Sequence, residues 1–359
     1  MASLKSKYQL AWWKWLGVII MLYVIIGGLA IPLNPGILSI TPQNSRTGDT
    51  VLISVTGYNT NFLSEKKIDA YLKVDQYYGI KSLYSDALSD NSIHFAFAIP
   101  QQLPTNQKQV PASLIINSAV DGAFVLPEGL FIENKDIGRI SDNELRQLPE
   151  KYFTNNAFRF PYRNILHETI RNTFFHVALW FAMFILLIFS VVYSVRFLIT
   201  KDFDYDHKSS SYTKVAILYG ILGIITGMIW AKFTWNTFWT NDVKLNMTAI
   251  SILIYLAYLL LRTSINDEDK KANVSAVYNI FAFVALIPLV FVIPRMADSL
   301  HPGNGGNPAL GGEDLDNTLR LFFYPSIIGL TLLGFWMTEI LVRFQRLKHK
   351  IYLYHETNV

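Results

Sequence analysis

The sequence predicts a polytopic α-helical membrane protein of six transmembrane helices with an all-β domain inserted outside the cytoplasm. Three observations carry that prediction. Six apolar runs approach or reach the ~20 residues that cross a hydrocarbon core at about 1.5 Å per residue. They lie at 9–31, 174–199, 213–231, 247–262, 275–294 and 319–342. Residues 32–170, between the first two runs, have a different, alternating character. Lys and Arg also cluster on alternate sides of the runs. With 51% hydrophobic residues among 359, the chain is too apolar for an ordinary soluble protein.

Each element has its own justification. The first run follows Lys5 and Lys7 and contains Lys14; its length, without a small-x-small cleavage pattern, reads as a retained span. The fourth is shortest, so its boundary is expected to take in Leu245 and Asn246. Orientation follows from the cations near span ends. Lys5, Lys7 and Lys14 mark one side, joined by Arg196, Lys201, Lys208 and Lys214, by Arg262, Lys270 and Lys271, and by Arg343, Arg346, Lys348 and Lys350. The opposite loops carry Lys232, Lys244, Arg295 and Arg320. Both termini are therefore expected in the cytoplasm, in an inner (cytoplasmic) membrane, with residues 32–170 periplasmic.

In the insert, 37–42, 50–56, 69–75, 92–99 and 112–117 alternate or are β-branched, and Arg46-Thr-Gly-Asp49, Ser89-Asp-Asn91 and Asp121-Gly122 punctuate them. Short strands so spaced predict an antiparallel sandwich. The run Gly48-Asp-Thr-Val-Leu-Ile-Ser-Val-Thr-Gly57 after Pro42 is similar to immunoglobulin-like TIG modules. The expected divisions are tail and first span (1–31), sandwich (32–133), polar connector (134–170), five-span core (171–342) and cytoplasmic tail (343–359). His94, alternating with Ile93 and Phe95, is expected to face solvent or a partner.

No cysteine is present, which excludes disulfides, thiolate metal sites, iron–sulfur clusters and a Cys-x-x-Cys-His attachment site. The net charge of +4 without a basic run gives no reason to expect nucleic acid. No catalytic constellation stands out. The chemistry concentrates in residues 230–247, where Trp230, Trp235 and Trp239 alternate with Phe233 and Phe238 between two spans. Such a surface suits a large planar apolar ligand, because π-faces stack offset on π-faces. An aromatic belt at the interface is the plainer explanation of composition alone.

Two histidines shift the balance. His176 lies at the outer end of the second span; alone it reads as a hydrogen-bonded packing residue, although ionisable groups inside membranes lean functional. His301 follows the fifth span; alone it reads as an exposed loop residue. Both project on the same side as the tryptophan loop. Two neutral imidazoles on opposite sides of a macrocycle make a six-coordinate b-type haem site.

With these motifs together, the chain resembles CcmC, the haem-handling membrane family of cytochrome c maturation, over the first span and from about residue 170 to the end. That family's loop reads Trp-Gly-Lys-Pro-x-Trp-Gly-Thr-x-Trp-x-Trp-Asp-x-Arg-Leu-Thr. Trp230, Lys232, Trp235, Thr237, Trp239, Asp242 and Leu245 fit it without a gap. Phe174-Phe-His-Val177 and Asp298-Ser-Leu-His301, the latter preceded by Pro288, are similar to its two histidine motifs.

The resemblance implies that His176 and His301 are axial ligands of haem b and that the tryptophan loop covers it at the outer face. Lys232, Lys244, Arg295 and Arg320 are candidate propionate partners, with simple anchoring at the interface as the alternative for each. Phe238 is expected to line the site, and Asp242 to orient a backbone amide or Lys244. The resemblance also implies delivery, not catalysis: haem passes to a CcmE-like chaperone, with a CcmA/CcmB-type ABC transporter and a CcmD-like small protein as partners. Membrane lipid completes the expected surroundings.

Departures are Phe233 for proline, Asn236 for glycine, Phe238 and Asn241 for aromatics, and Lys244 for arginine, which keeps charge but loses bidentate geometry. Met296 and Ala297 stand where the family often has paired tryptophans. The insert is the largest departure; its expected roles are docking of a chaperone or cytochrome, or shielding of haem. Two other readings stay open: a CcsA- or CcmF-like haem lyase subunit, against which Asp242-Val-Lys-Leu and only six spans argue, and a six-span permease whose tryptophans are mere belt.

Overall fold

The computed structural model describes residues 12–65, 68–75, 78–103, 105, 107–135, 146–149, 151–164, 166–301 and 315–357. The chain forms two compact units: Ile31–Glu168, and a helical unit built from Met1–Ala30 with Thr169–Val359.

The β unit is a two-sheet sandwich. One sheet has the order β1 (Gly36–Thr41), β3 (Thr50–Tyr58), β7 (Ser92–Ala98), β6 (Tyr84–Ser89). The other runs β10 (Arg146–Gln147), β5 (Tyr78–Lys81), β4 (Asp69–Lys73), β8 (Gln109–Ser118), β9 (Gly122–Glu133), β2 (Asn44–Arg46). Pairing is antiparallel except between β2 and β9. Alternation sends one residue in two inward: Val51, Ile53 and Val55 of β3 and Phe95 and Phe97 of β7 meet Leu72, Leu114, Ile116 and Ile132 in one buried cluster. Gly48 and Gly122, at φ +85° and +83°, sit in two of the turns expected from sequence.

The strand pattern missed β2, β5, β6 and β9. In β9, Pro127 and Gly129 interrupt the alternation, and a register shift opposite Ala112–Leu114 accommodates them, with Glu128 at φ +49°. The expected connector is only partly loop: Arg146–Gln147 extends a sheet through β5, and His167–Phe174 is a 3-10 turn. The portion at 136–145 lies outside the described residues.

Six helices among the described residues are long and apolar enough to cross a membrane. They are α1 (Trp12–Ala30), α2 (His176–Thr200), α3 (Phe203–Trp235), α4 (Val243–Ser264), α5 (Glu268–Ile287) and α6 (Asn317–Thr357). The chain is therefore a multi-pass membrane protein with an inserted β domain. The fourth span does take in Leu245 and Asn246. Three helices outrun their apolar stretches, α5 among them, since it begins at Glu268 behind the cap Asp267, which accepts from Lys270 N at 2.6 Å. α3 starts ten residues before the predicted 213 because Asp202 caps it, accepting from Asp204 N at 2.9 Å. α6 runs on through most of the expected tail.

Polar clamps hold these helices where lipid cannot solvate them. Asn279 of α5 donates to Ser190 Oγ (2.8 Å) and Ser194 Oγ (2.9 Å) of α2. Ser190 in turn donates to Ser209 O of α3 at 2.8 Å and lies 2.6 Å from Thr213 Oγ1. Arg262, in the last turn of α4, grips buried Asp206 of α3 through Nη1–Oδ1 at 2.8 Å and Nη2–Oδ2 at 2.5 Å. A bidentate pair this enclosed is costly to break from one side, because the surviving charge stays buried. Arg262→Met is expected to lower the thermal midpoint strongly, by about 3–5 kcal/mol of stability. Adding Asp206→Leu should restore most of the loss, measured by thermal unfolding in detergent.

Candidate functional site

The site grows from one face of α3. Gly223 and Gly227 are one turn apart there, and α2 lies against them. A Cβ on Gly227 would meet His176 Cε1 at 2.8 Å, and one on Gly223 would meet the Trp180 indole at 2.8 Å. The missing side chains are what let His176, the first residue of α2, lie flat on α3. Small residues serve this end in apolar helix pairs generally.

The imidazole is also oriented. His176 Nδ1 is 2.9 Å from Gly223 O and 3.1 Å from Thr226 Oγ1. The Thr226 hydroxyl donates back to its own helix, at Leu222 O (2.9 Å) and Gly223 O (3.0 Å). With that proton committed and a carbonyl as the nearer partner, Nδ1 carries the hydrogen. The lone pair is then on Nε2, the arrangement that prepares a histidine to ligate a metal.

α3 ends in the aromatic loop. Asn236 terminates it at φ +58°, and Lys232 reaches along the last turn to donate to Asn236 O (3.0 Å) and Oδ1 (3.1 Å). A cation on the terminal carbonyls offsets the negative end of the helix. Trp230 and Trp235 meet edge to face at 4.9 Å between ring centres. Beyond them, Trp239 Nε1 donates to Asn246 Oδ1 at 3.3 Å, and Asn246 Nδ2 donates to Asn241 Oδ1 at 2.7 Å.

Asp242 closes the loop twice over. As the cap of α4 its Oδ1 accepts from Lys244 N (2.9 Å) and Leu245 N (3.4 Å). Its Oδ2 accepts from Leu300 N at 2.8 Å. One buried carboxylate thus ties the tryptophan loop to the segment that carries His301. Burial pushes this carboxyl upward, but hydrogen bonds from Ser299 and from the backbone N–H of Leu300, Lys244 and Leu245 outweigh it and hold the pKa below the usual range.

The segment arrives there through an irregular helix end. After α5 the backbone widens into a π turn over Pro288–Val292, then tightens into a 3-10 turn at Ile293–Arg295. Pro288 and Pro294 lack N–H donors, so a regular ladder cannot continue. His301 then lies 5.5 Å from Trp230 and 6.4 Å from Trp235, ring centre to ring centre. Its ring centre is 6.3 Å from that of His176, with the planes 39° apart.

That spacing can be tested against a shared metal. Metal–imidazole bonds of ~2.0–2.1 Å put each ring centre ~3 Å from the metal, so rings on opposite sides have centres ~6 Å apart. The observed separation fits, and so does the ligand chemistry: two imidazoles, one with its tautomer fixed by a carbonyl, beside indole edges.

Of the residues singled out from sequence, His176, His301, Trp230 and Trp235 are brought together, and Asp242 anchors them. Trp239 and Phe238 lie at the exposed margin, Phe238 beneath the Lys232 ammonium at 5.8 Å. Lys232 caps α3. Lys244 contributes its backbone N–H, Arg295 is exposed, and Arg320 Nη1 donates to Asn317 Oδ1 at 3.3 Å. Sequence reading passed over Gly223, Thr226, Gly227 and Trp180. Their signals were present: Gly223-x-x-x-Gly227 is a small-x-x-x-small face, and Trp180 follows His176 by one turn.

Fold and site together define a six-span membrane protein with a paired-histidine, tryptophan-rich site at the end of α3. The family model described as "CcmC: Heme exporter protein C" matches residues 157–357, more than half of the chain, and the protein belongs to that family. The matched residues begin after the β sandwich and do not include α1. The chain is similar to heme exporter protein C of Bradyrhizobium diazoefficiens, 25% identical over 170 residues, 46% of this chain and 62% of that relative. It is 24% identical to heme exporter protein C of Paracoccus denitrificans over 169 residues, 47% of this chain and 68% of the relative. A shorter likeness, 31% over 96 residues, links it to cytochrome c biogenesis protein CcsA of Prochlorococcus marinus, covering 26% of this chain and 30% of the relative. The chain thus spans under two thirds of the Bradyrhizobium protein's length.

Two outcomes follow. Because its native pKa is depressed, Asp242 contributes stability that is complete above the ordinary carboxylate pKa of about 4. That contribution is lost as pH falls through the native value. The melting advantage of the wild type over Asp242→Asn should therefore be steady from neutral pH down to about 5 and shrink below that. Gly227→Ala should displace the His176 ring and change the fluorescence of Trp180 and Trp230, while circular dichroism stays unchanged.

Proposed function

We propose that this chain holds haem b at the membrane face where α3 ends and presents it to a CcmE-like haem chaperone in cytochrome c biogenesis. The 6.3 Å spacing of His176 and His301 beside Trp230 and Trp235 carries the reading. The relatives named heme exporter protein C support haem as the cargo.

In this reading His176 would hold the haem iron through Nε2, and His301 would be the second imidazole donor. A site that holds the iron by two imidazoles would suit a protein that keeps and delivers haem and makes no bond itself. Trp230 and Trp235 offer indole edges to the macrocycle, and Trp239 and Phe238 border the exposed margin. Asp242 holds the loop and the His301 segment in register. Arg295 and Arg320 remain the candidate propionate partners; Lys232 and Lys244 are weaker ones, because Lys232 is committed to the helix end and Lys244 reaches the site by its backbone.

The positive-inside pattern supports an inner-membrane protein with both termini cytoplasmic and the site facing outward. A CcmA/CcmB-type transporter and a CcmD-like small protein complete the proposed assembly. The CcsA likeness favours a second reading, a haem lyase subunit, over only a quarter of the chain.

Protein purified from haem-replete cells should carry a b-type Soret band. His176→Ala and His301→Ala should each weaken retention, and the double variant should lose the band while remaining monodisperse. A colourless wild type, or a double variant as red as the parent, contradicts the proposal. Thr226→Val, which removes the hydroxyl beside His176, should lower haem affinity by roughly 10-fold or more, read by haem titration.

A further inference from the structure

We propose that a groove at the opposite end of the helical unit is a binding site for an anionic phospholipid. It has a volume of about 650 Å³ and is walled by α1, α2, α3 and α6. Lys208, in its wall, precedes Trp230 by 22 residues on α3, which is ~33 Å along a helix at 1.5 Å per residue. The groove is therefore remote from the histidine pair, and the inference does not rest on haem.

Polarity changes along one face of α6. Leu332 and Phe335 lie at one end, Glu339 and Val342 in the middle, and Arg343 and Arg346 at the other. These residues span ~21 Å of helix, long enough for a headgroup at the cationic end and acyl chain along the rest. Tyr212 of α3 meets Phe335 edge to face at 5.9 Å and stacks on Tyr193 of α2 at 5.6 Å, giving the apolar part a firm wall.

Charge selects the headgroup. Asp204 accepts from Lys208 (2.7 Å) and from Arg346 (2.5 Å), while Glu339 accepts from Lys14 (2.6 Å) and from Arg343. Four cations share two carboxylates, so this group carries an excess of two positive charges. Arg343 and Arg346 keep 67% and 46% of their side-chain surface exposed, so their remaining donors can reach a phosphate. Basic pockets between spans, apolar below and cationic above, recognise anionic headgroups in this way. Among the described residues the lining holds no histidine or methionine to ligate iron, which favours lipid over haem as the occupant.

The test uses the full-length protein in detergent and native mass spectrometry with added phosphatidylglycerol, phosphatidylcholine or inorganic phosphate. Phosphatidylglycerol should be retained in preference to phosphatidylcholine. Arg343→Gln with Arg346→Gln should reduce that retention roughly tenfold or more. Leu332→Trp, which fills the apolar end and leaves every charge in place, should also reduce it, so a weak double variant cannot be dismissed as misfolded. Equal retention of both lipids overturns the proposal, as does binding unchanged in both variants. Competition by inorganic phosphate alone at equal concentration, or displacement of the lipid by equimolar hemin, would also overturn it.

Discussion

The close approach of α2 to the glycine face of α3 is the constraint from which the rest of the site follows. Without side chains at Gly223 and Gly227, the α3 backbone is near enough for Gly223 O to fix the His176 ring. A hydrogen bond to a backbone carbonyl inside an apolar bundle is strong and hard to replace, because no water competes for it. The same contact decides which imidazole nitrogen has its lone pair available. Packing and chemistry therefore meet at two missing methyl groups.

The second histidine is held by quite different means. His301 follows two proline-interrupted turns at the end of α5, a backbone with little hydrogen-bonded regularity of its own. Its position depends on Asp242, whose two oxygens serve the start of α4 and the amide of Leu300. One ring is fixed by a rigid helix pair and the other by a carboxylate latch. For the proposed delivery role the asymmetry matters, since the His301 segment is tied to α4 by this latch and not by helix packing.

Much of this was legible in the sequence, for physical reasons. Spans are written in long apolar runs, and His176, His301 and the tryptophans stand out because polar and indole side chains are conspicuous there. Sandwich strands showed wherever alternation was unbroken, as in Thr50–Tyr58, and were hidden in Gly122–Glu133, where Pro127 and Gly129 interrupt it. Helix extent was underestimated at α3, α5 and α6, since hydropathy reports the membrane and not the helix; Asp202 and Asp267 as caps were the missing cues at the first two. Lys232 illustrates a different gap. From sequence it is one cation at the rim among several, and only the αL turn at Asn236 shows that its charge serves the end of its own helix.

The glycine face escaped because a glycine declares nothing about its neighbour until the neighbour is known. That Asp242 orients a backbone amide was legible, but its partner Leu300 was not, because the bond joins residues far apart in the chain through a backbone N–H, which no residue type encodes. The most direct test of the central claim is the ferric electron paramagnetic resonance spectrum of the haem-loaded protein. Iron held between His176 and His301 predicts a low-spin signal that turns high-spin when either residue becomes glycine and returns when free imidazole is added. A signal indifferent to both substitutions would contradict the account.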